Sequence, residues 1–243
     1  MSEIFKIRLL LPATLVILSA AVFGAAQGLP ANKHNTRPET PAVAPAQPKE
    51  TLKDTTLYSY EFKQPEFFIK HLIIEHDASG HGRIRFVQRT EEAFVEEPLQ
   101  LSAEAMSRIS GLWEALRFLD STESYQSDRD YRHLGTVRLK MQRDTRERTA
   151  EFNWTNHAQA TALVNEYRRV ENQAILIFDL SVARESLRLN TPKLMEKTEA
   201  LLKRNGLSDP KQLLPLLKDI STDDHIPLIA RNHALRLIKK IEK

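Results

Sequence analysis

Between residues 57 and 188 the apolar positions switch between a period of two and a period near 3.6. Such switches predict alternating strands and helices. Tyr58, Tyr60 and Phe62 share one side of a period-two pattern. Phe68, Lys70, Leu72 and Ile74 alternate with Ile69, His71 and Ile73, a strand of mostly apolar character on both faces. Asp77-Ala78-Ser79-Gly80-His81-Gly82 reads as a turn, with Ile84 and Phe86 in the return strand. Ala93 to Leu99 adds a short strand, which Pro98 is expected to disrupt. Ser102 is a plausible N-cap for a helix carrying Met106, Ile109, Leu112 or Trp113, and Leu116, ending near Leu119. A polar loop follows from Asp120 to His133. A second hairpin then pairs Val137, Leu139 and Met141 with Ala150, Phe152 and Trp154, turning at Asp144-Thr145.

Asn156 is a candidate cap for the clearest helix, whose stripe is Leu163, Tyr167, Val170, Ala174, Ile177 and Leu180, with Leu187 continuing it. From Thr191 no strand signal remains. Pro192 is expected at a first helical position, and Asn205-Gly206 ends that helix. Asp209-Pro210 starts another, interrupted by Pro215. A last helix carries Ile226, Ile229, Leu235 and Ile238. The pattern predicts an α+β fold: an antiparallel sheet built from two hairpins with helices packed on one side, then a small all-helical C-terminal region. Residues 54–190 form the α+β domain in this reading and residues 191–243 the helical extension.

The N-terminal pattern is different in kind. Lys6 and Arg8 precede an apolar run from Leu9 to Phe23, and Gly24-Ala25-Ala26 supplies small residues for cleavage, the layout of a signal peptide. Read as an uncleaved anchor, Leu9 to Ala26 would span about 27 Å, just short of a roughly 30 Å bilayer core. Either reading of residues 1–26 sends the rest out of the cytoplasm, to the periplasm or another extracytoplasmic space, with membrane contact only through this segment. Residues 27–53 hold five of the chain's twelve prolines and almost no large apolar side chain. They read as an extended, disordered linker.

Composition narrows the classes further. At 41% hydrophobic residues the chain of 243 has enough apolar material for a sizeable core, which excludes a wholly disordered protein. Net charge is +3, so nucleic acid is not an expected partner. The charge is uneven: residues 191–243 carry 11 basic and 7 acidic side chains, whereas 54–100 carry 5 and 9. With no cysteine there is no disulfide framework, thiol nucleophile or thiolate metal site.

Candidate chemistry is sparse. His71, His76, Asp77 and His81 lie close enough in sequence for a hairpin to gather two or three metal ligands, but their spacing matches no compact signature. Glu91, Glu92, Glu96 and Glu97 could pair as acid and base. Asp120, Glu123, Asp128 and Asp130 lack the register of a calcium loop. Arg138, Lys140, Arg143, Arg146 and Arg148 make a basic ribbon that acidic residues interrupt. No phosphate loop, dinucleotide fingerprint or nucleophile elbow occurs, and no cofactor is assigned. Trp113, Trp154, Tyr125 and Tyr131 are the amphipathic aromatics suited to anchoring a partner, with core packing the ordinary alternative for the tryptophans. The favoured expectation is an exported or membrane-tethered, non-enzymatic accessory protein that contacts an envelope protein. The alternatives are an envelope hydrolase using carboxylates or a histidine-bound metal, and a small-ligand module with a pocket between sheet and long helix.

Overall fold

A computed structural model describes residues 56–243. The expectations for residues 1–26 and for the linker, residues 27–53, lie outside the described residues. The fold is α+β. Strands β1 (Leu57–Lys63), β2 (Ile69–Asp77), β3 (His81–Gln88) and β4 (Val95–Gln100) form an antiparallel meander. Helix α1 (Ala103–Ala115) follows, then the hairpin β5 (Thr136–Arg143) and β6 (Arg146–Phe152). β5 pairs with β1, which closes one six-stranded sheet of order β4-β3-β2-β1-β5-β6. Helix α2 (Ala158–Glu185) lies with α1 against one face. Helices α3 (Thr191–Lys203), α4 (Leu214–Thr222) and α5 (Leu228–Ile241) complete the chain.

The alternation in the strands decides which face is covered. Tyr58, Tyr60, Phe62, Leu72, Ile74, Ile84, Phe86, Val137, Leu139, Met141 and Phe152 all point inward and are buried. They pack on Ile109 and Trp113 of α1 and on Leu163, Tyr167 and Val170 of α2. The opposite face is a mesh of ion pairs. Glu61 is shared by Lys63, His71 and Arg138; Arg138 also reaches Glu151, Glu75 binds Arg83 and Arg85, and Lys140 meets Glu147. Arg138 and Lys140 of the basic ribbon are therefore neutralised strand to strand, whereas Arg146 pairs with the loop residue Asp120, Arg143 donates to the Thr56 hydroxyl and Arg148 to backbone carbonyls.

Several local expectations change. The N-cap of α2 is His157, not Asn156: its Nδ1 accepts from the Ala160 N–H. Pro215 begins α4 instead of interrupting a helix, because a first-turn proline loses no intrahelical donor. Pro98 does not break β4. Leu101 N–H bonds the Gly80 carbonyl, and the alternation that follows turns the nitrogen of Pro98 away from β3, toward the free edge. On α5 the buried stripe is Ala230, Ala234, Leu237 and Ile238, whereas Ile229 and Leu235 face outward. Small alanines let α5 approach closely, and they are easily passed over when only large side chains are counted.

A second apolar cluster joins α3, α4 and α5 to Leu176 and Leu180 of α2. The 28-residue helix thus serves two cores: its first half packs on the sheet and its second half on the C-terminal helices.

Candidate functional site

The antiparallel register puts four connections at one end of the sheet: residues 64–68, 89–94, 129–135 and 153–157. Each brings aromatic side chains to the surface. Phe67, Phe68, Phe94 and Trp154 are 45%, 64%, 43% and 41% exposed. Phe94 stands edge-on to His71 with ring centroids 5.0 Å apart. Tyr131 and Trp154 meet edge to face at 5.4 Å, and Phe67 leans on Phe62 at 5.9 Å. From β4 to β6 the row spans five strand spacings, about 24 Å.

These positions are held by polar contacts beneath them. Asn153 Oδ1 accepts from the Tyr131 N–H at 3.2 Å, and the Arg129 guanidinium donates to the Tyr131 hydroxyl at 3.1 Å. Ser127 N–H bonds the Trp154 carbonyl at 2.9 Å. The Gln64 amide donates to the His133 carbonyl, tying the β1–β2 turn to the segment before β5. Lys70 Nζ donates to the Glu91 carbonyl at 2.7 Å and anchors the β3–β4 turn. Gly135, at φ +90, approaches the Phe62 ring so closely that a Cβ would overlap it. An aromatic end braced by side-chain–backbone bonds is preorganised for contact.

Of the four aromatic candidates, two belong to this end and two do not. Tyr131 and Trp154 form it. Trp113 and Tyr125 are core residues, 2% and 3% exposed. The 120–133 loop is polar in composition, but it folds back: Arg148 donates to the Phe118 and Glu123 carbonyls and stacks over Phe118 and Tyr125, closing the loop on β6. The pattern places Phe68 on a strand face with Leu72 and Ile74 and puts Phe94 inside a strand, but β2 begins at Ile69 and β4 at Val95, so both phenylalanines stand exposed in the connections; Phe67 carries no signal of its own. Only the register shows that they share an end with Trp154.

The histidine group diverges. His71 binds Glu61 on the open face at 2.8 Å. His76 is buried on the inner face, and His81 sits at the hairpin tip, where Ser79 links it to Asp77. No group of three His, Asp or Glu side chains with metal-holding geometry occurs among the described residues. Asp77 is held below the usual carboxylate range chiefly by the Ser79 hydroxyl, reinforced by the backbone N–H groups of Ser79 and His81. A cleft of about 440 Å³ opens beside Tyr58, Glu75, His76, Asp77 and His81, but acids from 91–97 and 120–130 do not enter it. Instead Asp120 pairs with Arg146, Asp130 with Arg132, and Glu123 faces His157.

Beneath β1 lies a buried hydrogen-bond chain with one direction. His76 Nδ1 faces the Asp77 carbonyl at 2.9 Å, so it must carry the proton and donate. Its Nε2 is then the acceptor for the Tyr167 hydroxyl at 2.9 Å, and that oxygen accepts from Trp113 Nε1 at 3.1 Å. Burial pushes His76 below its usual range and the Tyr167 phenol far above its own. Glu171, one turn further along α2, is pushed up to about 7 by desolvation, partly offset by Arg168. His76, Tyr167 and Trp113 are enclosed by the core and tie β2, α1 and α2 together.

A second cavity, of about 360 Å³, opens between β4 and α2. No family model matches the chain, and no curated protein matches it either.

Proposed function

We propose that the protein is an exported or membrane-tethered accessory protein without catalytic activity, acting through contact with an envelope protein at the aromatic end of its sheet. The observation that carries this reading is the gathering of Phe67, Phe68, Phe94, Tyr131 and Trp154 at one end. Exposed aromatics in such a cluster are the usual anchors of an interface. Residue 56 leads into β1 at the opposite end, where Leu57 pairs with Asp77 and Gln142.

The test is cross-linking in cells that carry the full-length chain with a C-terminal tag. A photoreactive residue replaces Phe68 or Trp154 in one set, and Asp144, at the opposite end, in another. Reproducible capture of one envelope protein from the first set alone supports the reading. Self-links only, or equal capture from Asp144, would overturn it.

A further inference from the structure

Helix α5 leaves large apolar residues outside. Leu228, Ile229 and Leu235 are 62%, 67% and 46% exposed, while Ala230, Ala234, Leu237 and Ile238 turn to the second core. At 3.6 residues per turn, Leu228, Ile229, Leu235, Arg236 and Lys239 fall within one arc of about 120°. The outer side of the helix is therefore a stripe of apolar and cationic side chains with no acid in it. Neither of the two cavities described above includes a residue of α5, so the stripe lies outside both.

Its charge is uncompensated. The acids that flank α5 are already engaged: Glu199 by His233, Lys203 and Lys240, Asp223 by Arg184 and His225, Asp224 by Arg231, and Glu242 by Lys218. Arg236 and Lys239 on the stripe, and Lys243 just beyond the helix, enter no ion pair among the described residues. The open face of the sheet behaves differently, since there Glu61, Glu75, Glu147 and Glu151 are all matched to bases on neighbouring positions. The surplus of bases in residues 191–243, 11 against 7 acids, thus comes to the surface beside three exposed branched side chains.

We propose that the outer face of α5 rests on an anionic lipid surface. The helix lies parallel to the bilayer plane, with Leu228, Ile229 and Leu235 entering between headgroups and Arg236, Lys239 and Lys243 meeting lipid phosphates. Charge complementarity selects this occupant. A neutral bilayer leaves the cations without counter-charge, and a second copy of the chain docked two-fold would set the same cations against each other. An acidic protein would need a groove that admits the three apolar side chains with carboxylates placed between them, whereas lipids supply both by rearranging. Each cation near an anionic membrane strengthens binding about fivefold, so the contact is reversible and weakens with salt. It adds a second membrane contact to the N-terminal segment that the sequence suggests, and none of the aromatic residues of the proposed contact surface takes part.

Site-specific fluorescence on the full-length chain tests this. The chain has no cysteine, so Asn232→Cys, within the stripe, carries a polarity-sensitive label uniquely, and Thr149→Cys, on β6, is the reference. The probes are vesicles of phosphatidylcholine alone and of phosphatidylcholine mixed with phosphatidylglycerol, each with and without brominated acyl chains. The label at 232 should shift to the blue and be quenched by brominated lipid on the mixed vesicles only, and about 0.5 M sodium chloride should reverse both effects. The label at 149 should show neither. R236Q/K239Q/K243Q should weaken the response at 232 at least tenfold, and L228S/I229S should remove the quenching. Reading one site separates this contact from any binding by residues 1–26. No shift at 232 on the mixed vesicles, equal shifts on both lipids, or equal quenching at 149 would overturn the proposal. So would a shift with soluble polyglutamate that anionic vesicles fail to produce, which would assign the stripe to an acidic protein instead. Every substituted side chain is exposed, so the variants keep the core intact.

Discussion

Tyr167 is the residue on which three elements depend. Its hydroxyl is the partner of both Trp113 Nε1 on α1 and His76 Nε2 on β2, and its ring stacks on Tyr60 of β1 at 4.9 Å. Tyr167→Phe keeps the stack but leaves two buried polar atoms without partners, which costs about 1–3 kcal/mol. The expected result is a lower urea midpoint with an unchanged slope. Glu171 adds a pH dependence whose sign follows from its shift from 4.5 to about 7. Between those values the folded chain holds a proton that the unfolded chain releases, so stability falls as pH rises through this window and levels off above it. The loss is on the order of 3 kcal/mol. His76 acts from the other side: burial depresses its folded value below 6.5, so its contribution is present above 6.5 and is lost as pH falls. Glu171→Gln should match the parent chain near pH 4 and exceed its stability at pH 8. A constant difference across that range, in melts at fixed ionic strength, would contradict the assignment.

At the scale of elements, edges and helix partners matter most. β4 is one edge of the sheet, and Pro98 withholds the outward N–H through which another strand would pair. Pro98→Thr restores that donor without changing the inner face, and concentration-dependent dimers or aggregates should appear in light scattering. Gly82 is tested in the same way. A Cβ there would overlap the Glu75 carbonyl and the His76 backbone, so Gly82→Ala should destabilise the β2–β3 pairing and, with it, the His76 bond. These elements were largely legible before any coordinates. The period-two runs marked β1, β3, β5 and β6 because one face of the sheet is buried and the other charged, β2 showed as a run apolar on both faces, and the α2 stripe was clear because it spans many turns. What misled was chemistry decided by neighbours. Pro215 reads as a breaker until the preceding turn shows that it opens a helix. Ile229 and Leu235 read as core until Ala230 and Ala234 take the buried side of α5. Glu166 is 6% exposed and clamped by Arg169 on its own helix and by Arg108 of α1, a partner 58 positions away.

For the whole molecule, the same reasoning explains why so little of the aromatic end could be read in advance. Trp154 and Tyr131 stand out as residue types, but their companions Phe67, Phe68 and Phe94 lie up to 87 positions away in the chain. Only strand register brings them together, and register is a non-local property. The cavity beside β4 likewise joins residues 97–105, 170–185 and 208–212. Long-range assembly also governs how the body should unfold. α2 contributes Leu163, Tyr167 and Val170 to the sheet core and Leu176 and Leu180 to the helical core. Arg108 on α1 bonds the Ser208 carbonyl at 2.7 Å, while Gln212 reaches back to Gln100. A helix bends little along its length, so loosening either core strips packing from the other. Thermal unfolding of residues 54–243 should therefore be a single transition, with calorimetric and van't Hoff enthalpies in agreement. Ending the chain at Asn190 would expose Leu176 and Leu180 and remove the Gln212 and Ser208 contacts, so the truncated sheet should melt well below the intact protein. Two resolved transitions, or a truncated chain as stable as the whole, would show instead that α2 joins two independent bodies.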